Sequence, residues 1–253
     1  MQNSIKEIIL QEKTALVTGA AGIMGSAVVQ ALLDQGLRVI MADLAEDKLN
    51  AMAAELGERA VPSVMDISDP VSVETEMGRL ISRWGGIDIL VNNAGILSNN
   101  KSQTTPVEEW RRVMDINLNS MFYTSRAVIA GMKERGWGRI VNVSSLAAKT
   151  GGITAGTAYS TSKGGVVSLT YSLAAETAPF GITVNALAPA YVKTPMITQQ
   201  LSEEERQTVL SKIPVGRFCE PEEFAYAVLF LINPLSGFIT GEVLDLNGGL
   251  YFD

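Results

Sequence analysis

The chain predicts an α/β fold: a doubly wound, mainly parallel seven-stranded sheet with helices on both faces. Three observations carry that expectation. Strand-like and helix-like patterns alternate along the 253 residues, which calls for βαβ crossovers between parallel neighbours. The strands are continuous Val/Ile/Leu runs rather than alternating ones, as expected where both sheet faces are covered. A glycine-rich turn, "TGAAGIMG", directly follows the first strand.

Each element follows in order. "TALVTG" reads as a buried strand, and "GSAVVQALLDQG" as a helix with Val28, Leu32 and Leu33 on one stripe and Gly36 as its stop. "RVIMAD" is the second strand, "AEDKLNAMAAELG" the next helix and "AVPSVMD" the third strand. "DPVSVETEMGRLISRWG" begins with Asp69 as N-cap and Pro70 in the first turn. "IDILVNNAG" is the fourth strand and "GRIVNVSS" the fifth. "AYSTSKGGVVSLTYSLAAETAP" is a long helix, "ITVNALAP" the sixth strand, "EPEEFAYAVLFLI" a helix and "EVLDLN" the last strand. With no linker or repeat, residues 1–253 are expected to form one domain. Residues 190–217, with the short polar helix "SEEERQTVLSK", are expected to be a mobile substrate cover.

Composition removes several functions. The net charge is −7, without a block of Lys or Arg, so neither a nucleic-acid nor an anionic-membrane partner is expected. Cys219 is the one cysteine and there is no histidine. No metal site is expected, and proton chemistry must use Tyr, Lys, Asp, Glu or that cysteine. "MQNSIKEIIL" lacks the form of a secretory signal, and "FAYAVLFLI" is about half a membrane span. A cytoplasmic protein is the expectation.

The glycine turn stands where a doubly wound sheet receives a dinucleotide, as in the Rossmann fold. Gly19, Gly22 and Gly25 let the backbone turn tightly and approach a pyrophosphate. Ile23 and Met24 open the helix whose free amides would face it, with their side chains turned away. Asp43, with Leu44 beside it, ends the second strand. A carboxylate there accepts from ribose hydroxyls and repels a 2′-phosphate, so NAD is the expected cofactor. Asp66 and Ile67, past the third strand, are expected on the adenine side.

Together these residues resemble the short-chain dehydrogenase/reductase family, from Thr14 to about Gly249. "TGAAGIMG" resembles its cofactor loop, and "NNAG", with Asn93, Ala94 and Gly95, the stretch beside the adenine. Asn117 in "MDINLNS", Ser145 ending "VNVSS", and Tyr159 and Lys163 in "YSTSK" match the family's catalytic set. "APAYVKTPM" resembles the segment that grips the nicotinamide, which implicates Pro189, Ala190, Val192 and Thr194. "ITGEVLDLNGG" resembles the closing strand. The chain departs in spacing TGxxGxxG rather than TGxxxGxG, in Ala190 for the usual Gly, and in Asn247 for the usual Asp.

The resemblance implies hydride transfer between NAD(H) and a secondary alcohol or ketone. Tyr159 would move the proton and Ser145 would hydrogen-bond the reacting oxygen. Lys163 would bind the nicotinamide ribose, and Asn117 would hold a water linking Lys163 to solvent. Tyr159 and Lys163 stand four apart on a helix, so the ammonium is expected to lower the phenol's pKa. The loops at 97–103, 146–157 and 190–196, the last with its cover, mix small, apolar and neutral polar residues, including Thr150, Tyr191, Gln199 and Gln200. A neutral hydroxylated substrate such as a sugar or polyol is expected. One alternative is a 3-oxoacyl-carrier-protein reductase. Phe180 and Gly136 stand where those reductases tend to carry Arg, and Asp43 argues against NADPH, their common reductant. A second alternative is a catalytically silent module that senses the dinucleotide. Apolar Val166, Val167, Leu169 and Leu173, with the "FAYAVLFLI" helix, suggest subunit contacts, and the resemblance implies a homotetramer.

Overall fold

The computed structural model describes residues 10–152, 154–194 and 202–252. Its seven strands are β1 (Thr14–Thr18), β2 (Arg38–Asp43), β3 (Ala60–Val64), β4 (Ile89–Asn92), β5 (Gly138–Val143), β6 (Ile182–Pro189) and β7 (Val243–Leu246). They form one sheet in the order β3-β2-β1-β4-β5-β6-β7. Every pairing is parallel. The chain winds outward from β1 to β3, then returns to place β4 on the other side of β1. That reversal opens a crevice beyond the C-terminal ends of β1 and β4.

The helices are α1 (Ile23–Asp34), α2 (Glu46–Leu56), α3 (Pro70–Trp84), α4 (Val107–Met114), α5 (Ser120–Arg135), α6 (Ala147–Thr150), α7 (Thr157–Thr177), α8 (Glu203–Leu210) and α9 (Pro221–Ile232). They cover both faces of the sheet. In β1, Ala15 and Val17 join one core cluster with Val28, Leu32, Phe224 and Val228 of α1 and α9. Leu16, between them, joins the other with Met77, Leu80, Met132 and Leu173 of α3, α5 and α7. The pleat alone sorts them, since successive side chains leave a strand on opposite faces. Leu16 is fully buried, so Leu16→Ala should cost about 2–5 kcal/mol.

The expected cap of α3 is present: Asp69 Oδ1 accepts from Val71 N at 3.0 Å, with Pro70 at the first helical position. Helix α9 starts with a reciprocal capping box between Glu220 and Glu223. Two further helices fill the stretch between β4 and β5. Helix α4, "VEEWRRVM", sets Val107, Trp110, Val113 and Met114 at helical spacing and buries only Val113. A π-helical turn, Asp115–Asn119, joins it to α5.

The α7 residues expected at a subunit contact are spent inside the protomer. Val166 and Leu173 are buried, and Val167 and Leu169 pack on core clusters. Helix α7 lies against the sheet, which takes up that surface. Exposed large apolar groups include Phe122, Tyr171, Leu235 and Phe238, together with Tyr226 and Phe230 of the "FAYAVLFLI" helix expected at such a contact. Within the expected cover, residues 195–201 lie outside the described residues, and so do Met196, Gln199 and Gln200. No helix among the described residues is long and apolar enough to cross a membrane.

Candidate active site

The turn after β1 is closed by contacts that only glycine permits. Gly19 has φ +65, and a Cβ there would lie 2.8 Å from Ala94 Cα. A Cβ on Gly25 would collide with the Gly19 carbonyl oxygen, so α1 can seat against the loop only without a side chain at that point. Gly22 is the N-cap of α1 and offers no side-chain cap. The first helical amides therefore remain open toward the crevice. Ile23 is 42% exposed, clear of the core. Met24, expected to turn away, packs on the first core cluster and also lines the cleft.

Asp43 ties this loop to the next strand. Its Oδ2 accepts from Ala21 N and its Oδ1 from Ala45 N, each at 3.1 Å. A carboxylate offers about four lone-pair sites, so both oxygens keep capacity for a hydroxyl donor. Leu44 is exposed beside it. Asp66 follows β3 on the same edge, where Met65 N donates to Asp43 O. Asp66 Oδ1 is held by Ser68 N and Ser68 Oγ at 2.9 and 2.6 Å. Ile67 packs on the second core cluster, which leaves its backbone as the part facing the edge.

The exit of β4 is stapled to the glycine loop. Asn93 N and Ala94 N both donate to Thr18 Oγ1 at 3.1 Å, and Asn93 Nδ2 donates to Thr18 O and Gly19 O. Neither this role for Thr18 nor any feature that points to it is visible in the sequence. Gly95 leaves room for two functional groups: its Cβ would stand 3.2 Å from Asn117 Oδ1 and 3.4 Å from Lys163 Nζ.

The four expected catalytic residues converge beyond β4 and β5. Ser145 leaves the end of β5 and lines the cleft together with Tyr159. Ser144 instead donates to Lys163 O at 2.9 Å. The Ser144 hydroxyl is thus committed to the α7 backbone, while Ser145 is the serine that influences the phenol. Lys163 is 3% exposed, donates to Val143 O at 2.7 Å, and lies 5.7 Å from the centre of the Tyr159 ring. Asn117, buried in the π-turn, accepts from Ile96 N at 2.8 Å. Its amide donates to Ile96 O and Ser162 Oγ, so both side-chain N–H groups are used. The amide thus braces the β4 exit.

Electrostatics here follow burial. Burial pushes the Tyr159 phenol above its ordinary value, with the Ser145 hydrogen bond pulling it back. Burial also lowers Lys163, to about 8. The phenol's direction is opposite to the one expected from an adjacent ammonium. Desolvation of the phenolate outweighs that neighbour, because both groups sit inside the fold.

A cleft of about 200 Å³ runs between these groups. The extended segment after β6 forms one wall. Ala190, Val192 and Thr194 line the cleft, while Tyr191 lines a larger cavity of about 360 Å³ behind it. Alternate residues thus face opposite spaces, as in a strand. A bridge between Val192 and Cys219 holds the segment in place. Pro189 O accepts from Leu146 N at 3.0 Å and fixes the β6 exit beside Ser145. The larger cavity is not the chemical site, since none of the converging groups reaches it. Ile96, Leu97 and Val143 add apolar walls to the cleft that carry no signature in the sequence.

Known proteins are similar to this chain over nearly its whole length. A family model described as enoyl-(acyl carrier protein) reductase matches residues 19–251. The 3-oxoacyl-[acyl-carrier-protein] reductase of Vibrio cholerae is 40% identical over 243 residues, covering 96% of this chain and 98% of its own. Its counterpart in Aquifex aeolicus is 39% identical over 249 residues, covering 97% and 100%. The solved structure of gox2181 matches with a TM-score of 0.90 at 33% identity, covering 96% of this chain and 99% of that one.

Proposed function

The chain belongs to the short-chain dehydrogenase/reductase family, and on that premise we propose that it transfers a hydride between NAD(H) and a ketone or secondary alcohol, with Tyr159 as acid and base. It is an oxidoreductase of a family that uses a nicotinamide dinucleotide. The observation that carries the reading is the convergence of Ser145, Tyr159 and Lys163 on one wall of the cleft.

The residues present fit a dinucleotide. The turn over Gly19, Gly22 and Gly25 has backbone where a Cβ would intrude, and its helix amides can hold phosphate oxygens. Asp43 accepts from ribose hydroxyls and disfavours a 2′-phosphate. Leu44, Asp66 and Ile67 flank the adenine side, with Asn93, Ala94 and Gly95 beneath. Pro189, Ala190, Val192 and Thr194 bound the nicotinamide side. When bound, the dinucleotide supplies or takes the hydride and, oxidised, adds a positive charge that favours a phenolate. Tyr159 gives its proton to a ketone oxygen or takes one from an alcohol. Ser145 donates to that oxygen and stabilises its partial charge. Lys163 holds ribose hydroxyls and keeps positive charge near the phenol, while Asn117 holds Ile96 in place.

For the substrate, the expected sugar or polyol finds no support among the relatives, whose names specify 3-oxoacyl groups on a carrier protein. The apolar walls Ile96, Leu97, Val143 and Val192 favour a short 3-oxoacyl or 3-hydroxyacyl group. Docking of an acidic carrier is less favoured. Phe180 is exposed, and Arg135 is occupied by Asp88 and Ile87 O. The exposed aromatic groups on α5, α7 and α9 support a homo-oligomer. Nicotinamide absorbance tests the reading, with NADH and NADPH each offered with an acetoacetyl thioester, and NAD⁺ with a polyol panel. Faster turnover of the thioester with NADH is expected. Silence on every substrate would favour a dinucleotide-sensing module.

A further inference from the structure

Helix α7 carries Tyr159 and Lys163 but begins without a cap of its own. Its N-cap is Gly156, which has no side chain to offer the first amides. Those amides are satisfied from another part of the chain. Gly156 N donates to Ser98 O at 2.7 Å, and Thr157 N to Asn100 O at 3.1 Å. Both carbonyls belong to the loop that leaves β4. The approach is close: a Cβ on Gly156 would lie 2.8 Å from Asn100 N and would collide with the Asn100 carbonyl oxygen.

One carboxylate holds that loop. Ser98 Oγ donates to Glu109 Oε1 at 2.5 Å, and Asn100 Nδ2 to Glu109 Oε2 at 2.6 Å. Glu109 thus engages the same two residues whose carbonyls cap α7. Lys101 adds a second tie, donating to Ala155 O at 2.6 Å and Gly152 O at 3.1 Å. The two hydrogen bonds also hold the Glu109 carboxyl below its ordinary range, so it remains an acceptor at neutral pH.

We propose that Glu109 is a positioning residue: it fixes Ser98 and Asn100 as an external cap on α7 and so sets the Tyr159 phenol against Ser145. The inference rests on Tyr159 as the acid and base. Leu97, adjacent to Ser98, lines the cleft. The loop that meets the substrate is therefore the one that places the proton donor. Catalytic geometry is sensitive to such support, because displacement of a reacting group by about 1 Å can cost on the order of a hundredfold.

The test is steady-state kinetics with dinucleotide titration on Glu109→Ala, Glu109→Gln and Gly156→Ala. Glu109→Ala should lower kcat about tenfold to a hundredfold while the dinucleotide Kd stays within about twofold. The alkaline limb of its kcat–pH profile should move, because the phenol's surroundings change. Glu109→Gln should recover most of the loss, since one amide oxygen still accepts and the Ser98 hydroxyl can turn to accept in exchange. Gly156→Ala should repeat the Glu109→Ala profile by forcing the two loops apart. Full kcat with an unmoved profile in Glu109→Ala overturns the proposal, and so does an equal loss in the Ala and Gln variants. Tyr159→Phe, run alongside, separates the two readings. If it keeps turnover, the acid–base assignment fails and the positioning role fails with it. If it is inactive while Glu109→Ala is unimpaired, only the positioning role fails.

Discussion

One side of the crevice is made of backbone and the other of side chains. Between β1 and α1, glycines bring chain against chain, and Asp43 and Thr18 serve mainly to bind amides. Beyond β5 and α7, the functional atoms are side-chain tips inside the fold, each aimed by a hydrogen bond: Lys163 on Val143 O, Ser162 on Tyr159 O, Asn117 on Ile96. The two sides should therefore fail differently. Crowding the backbone side costs affinity for the dinucleotide, whereas altering the Tyr159 or Ser145 tip on the other side costs turnover and leaves affinity intact.

Tyr159→Phe is the sharpest separation of the two. It removes the proton and keeps the ring, so kcat should fall about a thousandfold, with the dinucleotide Kd unchanged by fluorescence titration. Proportional loss of both would erase the contrast. Gly25→Ala tests the opposite side. Its Cβ meets backbone that cannot yield, and overpacking costs about 1–3 kcal/mol. Dinucleotide affinity should weaken about tenfold or more, with kcat near normal at saturation.

Asp43→Ala should act more gently. Losing a charged acceptor for the ribose, at about 1.5–3 kcal/mol per hydrogen bond, should shift the ratio of kcat/KM with NADH to that with NADPH toward NADPH by about tenfold. A ratio that does not move would leave Asp43 as a strand-end brace only.

The smallest effect is on stability. Lys163 has its ordinary value of 10.5 lowered to about 8 by burial. Below about 8 the buried ammonium opposes folding. Between about 8 and 10.5 the unfolded chain binds the extra proton, so stability rises with pH. Tyr159 is raised, so above its ordinary value of 10.0 stability falls again. Lys163→Met should melt a few degrees above the parent at neutral pH. That gap should close as pH rises through 8, as thermal melting would show. A constant gap would mean that Lys163 is buried at no electrostatic cost.

The same contrast explains what could be read in advance. Backbone demands are local, so the glycine turn, the strands and the Asp69 cap are visible as short patterns. Side-chain aim is not local. Asn117 and Ile96 are far apart along the chain, and the pleat would allow either Ser144 or Ser145 to face the cleft. Spacing showed that Lys163 stands near Tyr159, but burial is a property of the whole fold and it reversed the expected direction of the phenol. Helix α4 is short, and its apolar residues at 107, 110, 113 and 114 span only two turns. Glu109 meets Ser98 and Asn100 only through the fold, and its part in the site has no local pattern.

The π-turn at Asp115–Asn119 makes α4 and α5 a single rod with an offset in phase. Each residue of an α-helix turns its successor by about 100°. Deleting one residue there would restore regular winding and rotate everything beyond it by that angle. Val113 before the turn and Met121 after it are both buried now, and Asn117 points inward between them. The rod can accept many changes of residue type, but not a change in how many residues it contains.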